Sequence, residues 1–251
     1  MKYRFSTGKY LAGAALLCCA LALTLAACGS STNKTGGGGS SSSSPTSSGA
    51  PTAQSILARN KQQNLTSATF TLNQQIQTQQ GTLTSKGTGQ LQEHPFAEQV
   101  ALTTTLGGSQ VQSQAIYSGN NLYSKTANST TWTETPAGDV VNGSSAAPDL
   151  ANVADLPNAT LVGTETINGV KTYHLKGTGT QTANGQSVAY TEDLWIRQDN
   201  YRPEQVTDVV TAPVGNIQST VIFTNWNSNV SIQTPPPSAV STITVPTTPT
   251  P

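Results

Sequence analysis

The sequence predicts an α+β fold dominated by one long antiparallel sheet, with a helix ahead of it and an irregular, partly helical insert in its middle. Three observations carry this. Apolar residues recur at every second position in one segment after another through the middle of the chain. Short loops of turn-forming residues join these segments, whereas parallel strands would need crossovers of about a dozen residues or more. Helical spacing of apolar residues occurs in only two places.

The chain opens with Lys2, Arg4 and Lys9 and no acidic residue, followed by an apolar run over 11–27 that contains Cys18 and Cys19. A positive stub before an apolar stretch reads as an export signal. Seventeen residues fall short of the roughly 20 that a membrane span needs. The run ends in Leu25-Ala26-Ala27-Cys28-Gly29, which resembles the lipobox of bacterial lipoproteins. Residues 1–27 are therefore expected to be removed, and Cys28 to carry the lipid through its thiol. Two or three acyl chains give durable anchoring where one would be marginal. Cleavage removes Cys18 and Cys19 and acylation blocks Cys28, so no disulfide can form and the core alone must hold the fold. The expected location is extracytoplasmic, anchored to the cell membrane.

Residues 28–51 are Ser, Gly, Thr and Pro with the single charge Lys34, a composition that behaves as a flexible tether spanning on the order of 25 Å. Residues 235–251 are rich in Pro and Thr and are expected to form an extended or disordered tail. Between them, residues 52–234 are of a size that suits one domain. They hold eight basic and twelve acidic residues, a formal charge of −4, with no basic stripe; nucleic acid is excluded as a partner on that ground. Leu, Ile, Val and Phe make up only 38 of these 183 residues, so the apolar core must be thin or incomplete.

Within the domain, residues 52–64 place Ile56, Leu57 and Asn60 on one side, behind a Ser/Thr/Pro-rich start. Phe70, Leu72 and Ile76 then alternate with Thr and Gln, and Val100, Leu102, Thr104 and Leu106 do the same. Residues 111–118 and 122–125 flank Gly119-Asn120-Asn121 and read as a hairpin. Gly and Ser break the pattern over 138–147, and 149–156 gives a second helix behind Pro148 with Leu150, Val153 and Ala154 at helical spacing. Alternation resumes at Tyr173 and Leu175 after the turn Asn168-Gly169. Ala183-Asn184-Gly185 and 213–216 separate two further strand pairs, 188–197 among them.

The residues that would carry catalysis or bind metal are not arranged to do so. His94 precedes Pro95 in a turn, and His174 alternates outward on a strand, so both are expected to be exposed and structural. Neither shares metal-ligand spacing with the other or with a carboxylate. Ser31-Thr32-Asn33-Lys34 matches Ser-x-x-Lys but lies in the tether. Gly177-Thr178-Gly179 lacks the third glycine and the helix of a dinucleotide loop. Glu192 and Asp193 are adjacent on a strand and point to opposite faces. No enzyme, cofactor or metal is expected.

One resemblance binds these segments together. Leu106-Gly107-Gly108-Ser109, the stretch from Tyr117 to Tyr123 leading to Trp132, Thr166-Ile167-Asn168-Gly169, Leu194-Trp195-Ile196, and Asn225-Trp226 through Val230 before Pro235 follow one another over nearly all of 52–234. In that order, behind a lipobox and a tether, the chain resembles the LppX/LprG-type lipoproteins of mycobacteria and relatives, within the LolA/LolB-like carriers. The resemblance implies a strongly curved antiparallel half-barrel, with the N-terminal helix and the helical insert covering its concave side. It further implies an apolar cavity for the acyl chains of a lipid or lipoglycan, carried between the membrane and the outer envelope, with a membrane transporter as a candidate protein partner. Candidate inward residues are Leu102, Ile116 or Tyr117, Val140, Val141, Leu150, Val153, Val221 and Phe223. The alternative is a non-enzymatic envelope sensor or scaffold of the same fold that binds a protein or signal lipid.

Cys28→Ser should abolish incorporation of labelled fatty acid and release the protein from the membrane fraction. Unchanged labelling and membrane retention would overturn the lipoprotein reading.

Overall fold

Thr52 starts the ordered domain because its hydroxyl accepts from the Ser55 N–H at 3.2 Å while the Ser55 hydroxyl accepts from the Thr52 N–H at 3.0 Å. This reciprocal cap satisfies donors that the first helical turn leaves open. The helix it starts, α1 (Ala53–Lys61), ends shortly before Asn64, whose φ is 45°. Ala53, Ile56, Leu57 and Asn60 form its buried side. Asn60 is held there because its amide donates to the Tyr201 carbonyl at 2.7 Å. The structure is a computed structural model that describes residues 50–78, 81–136, 156–183, 186–212 and 215–242.

The strands are β1 (Ser67–Thr78), β2 (Gly81–Glu93), β3 (Phe96–Leu106), β4 (Ser109–Ser118), β5 (Asn121–Thr126), β6 (Trp132–Pro136), β7 (Thr160–Ile167), β8 (Val170–Ala183), β9 (Gln186–Arg197), β10 (Pro203–Ala212), β11 (Gly215–Thr224) and β12 (Val240–Thr242). They form one open, curved sheet in the order β12-β6-β5-β4-β3-β2-β1-β11-β10-β9-β8-β7. Two meanders are visible in that order. β1 to β6 step outward to one edge, β7 to β11 step inward from the other, and β1 meets β11 antiparallel in the middle. The hairpins read from the sequence are present, with β4 paired to β5, β8 to β9 and β10 to β11; β7 also pairs with β8, across the Asn168-Gly169 turn. At the Asn168-Gly169 turn both residues take positive φ, 52° and 82°, the conformation that tight hairpins of right-handed twist require.

One face of the sheet carries the main core. Phe70, Leu72, Leu91, Val100, Leu102, Leu122, Leu175, Leu194, Ile196, Val206, Val221 and Phe223 pack there with Ile56 and Leu57 of α1. Sparse apolar supply is offset by close approach. Gly89 lets the Phe70 ring lie over β2, and Gly177 lets Leu156 lie over β8, because a Cβ at either glycine would collide with those side chains.

Two expectations need revision. Residues 235–242, read as the start of a tail, instead form a 3-10 turn (Pro237–Ala239) and β12, which pairs parallel with β6 through Val240↔Trp132. Composition hides this strand because an edge strand can be completed by backbone pairing alone. Gly, Ser and Thr also hide the alternation of β2, where Leu83 and Leu91 are the only buried apolar residues. The expected insert helix at 149–156 lies outside the described residues apart from Leu156, which is buried in the main core.

Gly89→Ala would place a Cβ against the Phe70 ring and 2.7 Å from the Gln99 carbonyl oxygen. Such overpacking costs about 1–3 kcal/mol, each kcal/mol lowering Tm by about 2–4 °C in a domain of this size. Gly163→Ala, with nothing within 4 Å, should leave Tm unchanged; thermal melts of both variants separate close packing from a general intolerance of side chains.

Candidate functional site

The strand register sorts the helix-covered face into bands that run across the strands. One apolar band reads Leu102, Gly87, Leu72, Val221, Val206, Leu194 and Leu175 from β3 to β8. Two residues further along each strand lies a polar row: Thr104, Ser85, Gln74, Ser219, Asp208 and Glu192. A second apolar band follows with Leu83, Ile76, Ile217, Val210 and Tyr190. This second cluster is separate from the first and takes no residue from α1. At about 4.8 Å per strand the polar row extends for roughly 24 Å.

Every member of the row is buried, with exposures of 1% to 8%. Ser85 and Thr104 satisfy each other at 2.9 Å. At the opposite end, Glu192 Oε2, both Asp208 carboxyl oxygens and Ser219 Oγ have no hydrogen-bond partner. Burial pushes the Glu192 carboxyl up to about 7, and the Asp193 charge adds to the rise. Asp208 is raised well above the usual carboxylate range, first by burial and then by Glu192 and Asp193. The Tyr190 phenol is raised by burial and then by Glu192 and Asp208.

The candidate cavity residues fall into three groups. Leu102, Val221 and Phe223 lie buried on the helix-covered face. Tyr117 shares that face through its pairing with Glu98, and its ring meets Phe96 edge-on at 5.5 Å. Ile116 does not: as the neighbour of Tyr117 it points to the opposite face, paired with Gln99 and Tyr123, where it is buried. Val140, Val141, Leu150 and Val153 lie outside the described residues. Cys28 lies outside them as well.

His174 is also placed differently from its expectation. It sits on the face opposite α1, stacked on Trp195 at 4.5 Å, with Nδ1 2.7 Å from Glu165 and Nε2 2.8 Å from Asp193. A register shift between Leu161 and Gly163 sets β7 beside it, bringing in a carboxylate that spacing along the chain does not reveal. Glu165 is held below the ordinary carboxylate range by the Trp195 indole N–H and then by His174. Among the described residues no group of His, Cys, Asp and Glu is placed to hold a metal. Glu192 and Asp193 do point to opposite faces, the latter joining His174 and Lys176.

Sequence reasoning missed Asp208 as the partner of Glu192. Its signal was a carboxylate set within each apolar alternation, Val188-Tyr190-Glu192-Leu194 and Val206-Asp208-Val210; strand pairing then puts the two side by side. A separate groove of about 340 Å³ has walls that include Lys86, Thr103, Gln112 and Gln114, too polar for a hydrocarbon chain.

The family model described as LppX_LprAFG lipoprotein matches residues 52–232. No curated protein matches the chain. Among solved structures, LprF from Mycobacterium bovis is 16% identical with a TM-score of 0.47, over 73% of this chain and 96% of that one. The lipoprotein LppX from Mycobacterium tuberculosis is 18% identical with a TM-score of 0.45, over 71% and 98%. A LolA superfamily protein from Nitrosomonas europaea is 14% identical with a TM-score of 0.28, over 73% and 96%.

Glu192 and Asp208 bind protons more tightly folded than unfolded, and for Glu192 the folded state holds the extra proton between about pH 4.5 and 7. Stability is then highest near pH 5 and falls as the pH rises towards 8. A carboxyl moved from 4.5 to about 7 corresponds to about 3 kcal/mol. Tm should drop by several degrees from pH 5 to pH 8, and Glu192→Gln with Asp208→Asn should flatten the profile. A wild-type Tm that rises over this window would mean that the carboxyls are ionised and paired.

Proposed function

The chain belongs to the LppX_LprAFG lipoprotein family, and from that premise we propose that it is a membrane-anchored envelope lipoprotein that binds the acyl chains of lipids or glycolipids and passes them towards the outer envelope. The observation that carries this reading is the breadth of the apolar surface on the helix-covered face. The main apolar band crosses seven strands, from β3 to β8 in the sheet order, roughly 29 Å at about 4.8 Å per strand, whereas a nine-residue helix is about 13.5 Å long. The second apolar cluster takes nothing from that helix. A surface of this kind suits hydrocarbon chains laid along it.

The energetics favour an enclosed apolar site. A lipid leaving a bilayer forfeits about 0.8 kcal/mol per methylene, or roughly 24 kcal/mol for a diacyl lipid with some thirty of them. Contact with leucine, valine and phenylalanine side chains can offset that loss; water cannot. The anchor at Cys28 and the tether over 28–51 would keep the domain within reach of the donor membrane.

The Cys28→Ser full-length chain, purified from an actinobacterial host without detergent, should carry about one lipid per protein by native mass spectrometry. It should also take up a fluorescent fatty acid that the natural lipid displaces. Protein that is folded, lipid-free and unable to take up any acyl chain would overturn the reading.

A further inference from the structure

Where β9, β10 and β11 lie side by side, Glu192 pairs with Asp208 and Asp208 with Ser219. Their Cβ atoms are therefore about 5 Å apart on one face. Glu192 Oε2, both Asp208 oxygens and Ser219 Oγ are buried with no partner, on residues exposed by 4% or less. Folded proteins leave few polar groups in this condition, and an ordered water or a bound group commonly supplies the missing partner. Ser219 matters as much as the acids, since an unpartnered hydroxyl is not explained by repulsion between carboxyls.

The surroundings restrict what that partner is. Apolar bands flank the three residues on both sides, with Val206, Val221 and Leu194 on one and Val210, Ile217 and Tyr190 on the other. No Lys or Arg belongs to the polar row, so a phosphate would meet two carboxyls and no cation. An ammonium group brings donors only and suits two ionised carboxylates, whereas burial favours the protonated forms of Glu192 and Asp208, whose acid hydrogens need an acceptor. A hydroxyl supplies one donor and two acceptor sites and matches the mixed inventory.

Resting on the lipid-binding reading above, we propose that Glu192, Asp208 and Ser219 form a subsite for an uncharged, hydroxyl-bearing group of the bound lipid, with its acyl chains lying along the apolar bands on either side. The subsite is selective by chemistry: it accepts hydroxyls, loses binding when the hydroxyl is capped, and rejects an anionic phosphate.

The test uses the full-length Cys28→Ser chain and competition against a bound fluorescent diacylglycerol. Three competitors share identical chains: 1,2-dioleoylglycerol, its 3-acetyl ester and dioleoylphosphatidic acid. Free dioleoylglycerol should compete about tenfold better than the acetyl ester, as expected where capping leaves buried acceptors unpaired, and phosphatidic acid should be weakest. Glu192→Leu with Asp208→Leu should bring the hydroxyl-to-acetyl ratio to about one while the acetyl ester still binds. Ser219→Ala, a smaller change, should lower the ratio in the same direction and guards against misfolding of the double variant. Equal competition by the first two lipids in the wild type, or phosphatidic acid as the strongest, overturns the subsite and leaves lipid binding standing. Failure of all three to compete, with no uptake of the probe, overturns lipid binding itself.

Discussion

The environment of nearly every side chain in this domain follows from the register of one antiparallel ladder. Each strand turns alternate residues to opposite faces, so once β1 is aligned with β2 and β11, the facing of every residue from β3 to β9 is set in turn. The same alignment lines up residues of like chemistry across strands. Leucines and valines meet leucines and valines, Gln74 meets Ser85 and Ser219, and Asp208 meets Glu192. A slip of one residue in any strand would send its whole apolar set to the other face. The glycines belong to the same scheme: Gly87 and Gly89 fall in the bands on β2, and Gly177 lies opposite Glu192. Each admits a large side chain from a neighbouring element over a sheet that has few apolar residues to spare.

That register makes the two faces unlike. On the face opposite α1, Glu165, His174, Asp193, Lys176 and Trp195 satisfy one another by hydrogen bonds and ion pairs near the β7 edge. The C-terminal segment also engages this side. The Asn227 N–H donates to the Ser67 carbonyl, the Ser67 hydroxyl to the Ser228 carbonyl, and the Gln90 amide to the Ser231 carbonyl, before β12 joins β6. Ile116, on β4 between those attachment points in the sheet order, is buried although its strand neighbours Gln112 and Gln114 are exposed. The polar groups here find partners within the protein. On the helix-covered face, those of Glu192, Asp208 and Ser219 do not.

How much of this could be read from the sequence depended on whether the relevant physics was local. Hairpins were legible because Asn168-Gly169 and Gly119-Asn120-Asn121 dictate turns through their own backbone preferences. The inward facing of Leu102, Val221 and Phe223 followed from period two. Ile116 and Tyr117 could not be told apart because the pattern gives two faces without naming them; only the pairing of Tyr117 with Glu98 does so. β2 was hidden because its core-facing positions include Gly87 and Gly89, where packing is supplied by Leu102 and Phe70 from neighbouring strands. The Glu192–Asp208 pair and the carboxylates around His174 come from residues 9 to 19 positions apart, so they exist only once strand order and a β7 bulge are fixed. β12 was obscured by composition, since Pro and Thr describe a tail well until a strand edge is available to pair with it.

On the lipid-binding reading proposed above, the polar row also bears on how cargo would be released. An unbroken apolar face would hold hydrocarbon in proportion to the area buried, and for a diacyl chain that term approaches what the membrane offers. Interrupting the face with six buried polar residues removes part of that area and replaces it with hydrogen bonds, which contribute far less net free energy than their number suggests because water competes for them. At the Glu192 end the row also depends on protonation, since ionising a buried carboxyl brings charge into a site shared with hydrocarbon. Binding to such a face is weaker than its width implies and specific where the polar atoms sit. Both properties would suit the transfer proposed above, and both arise from substitutions at alternate positions that leave the ladder itself untouched.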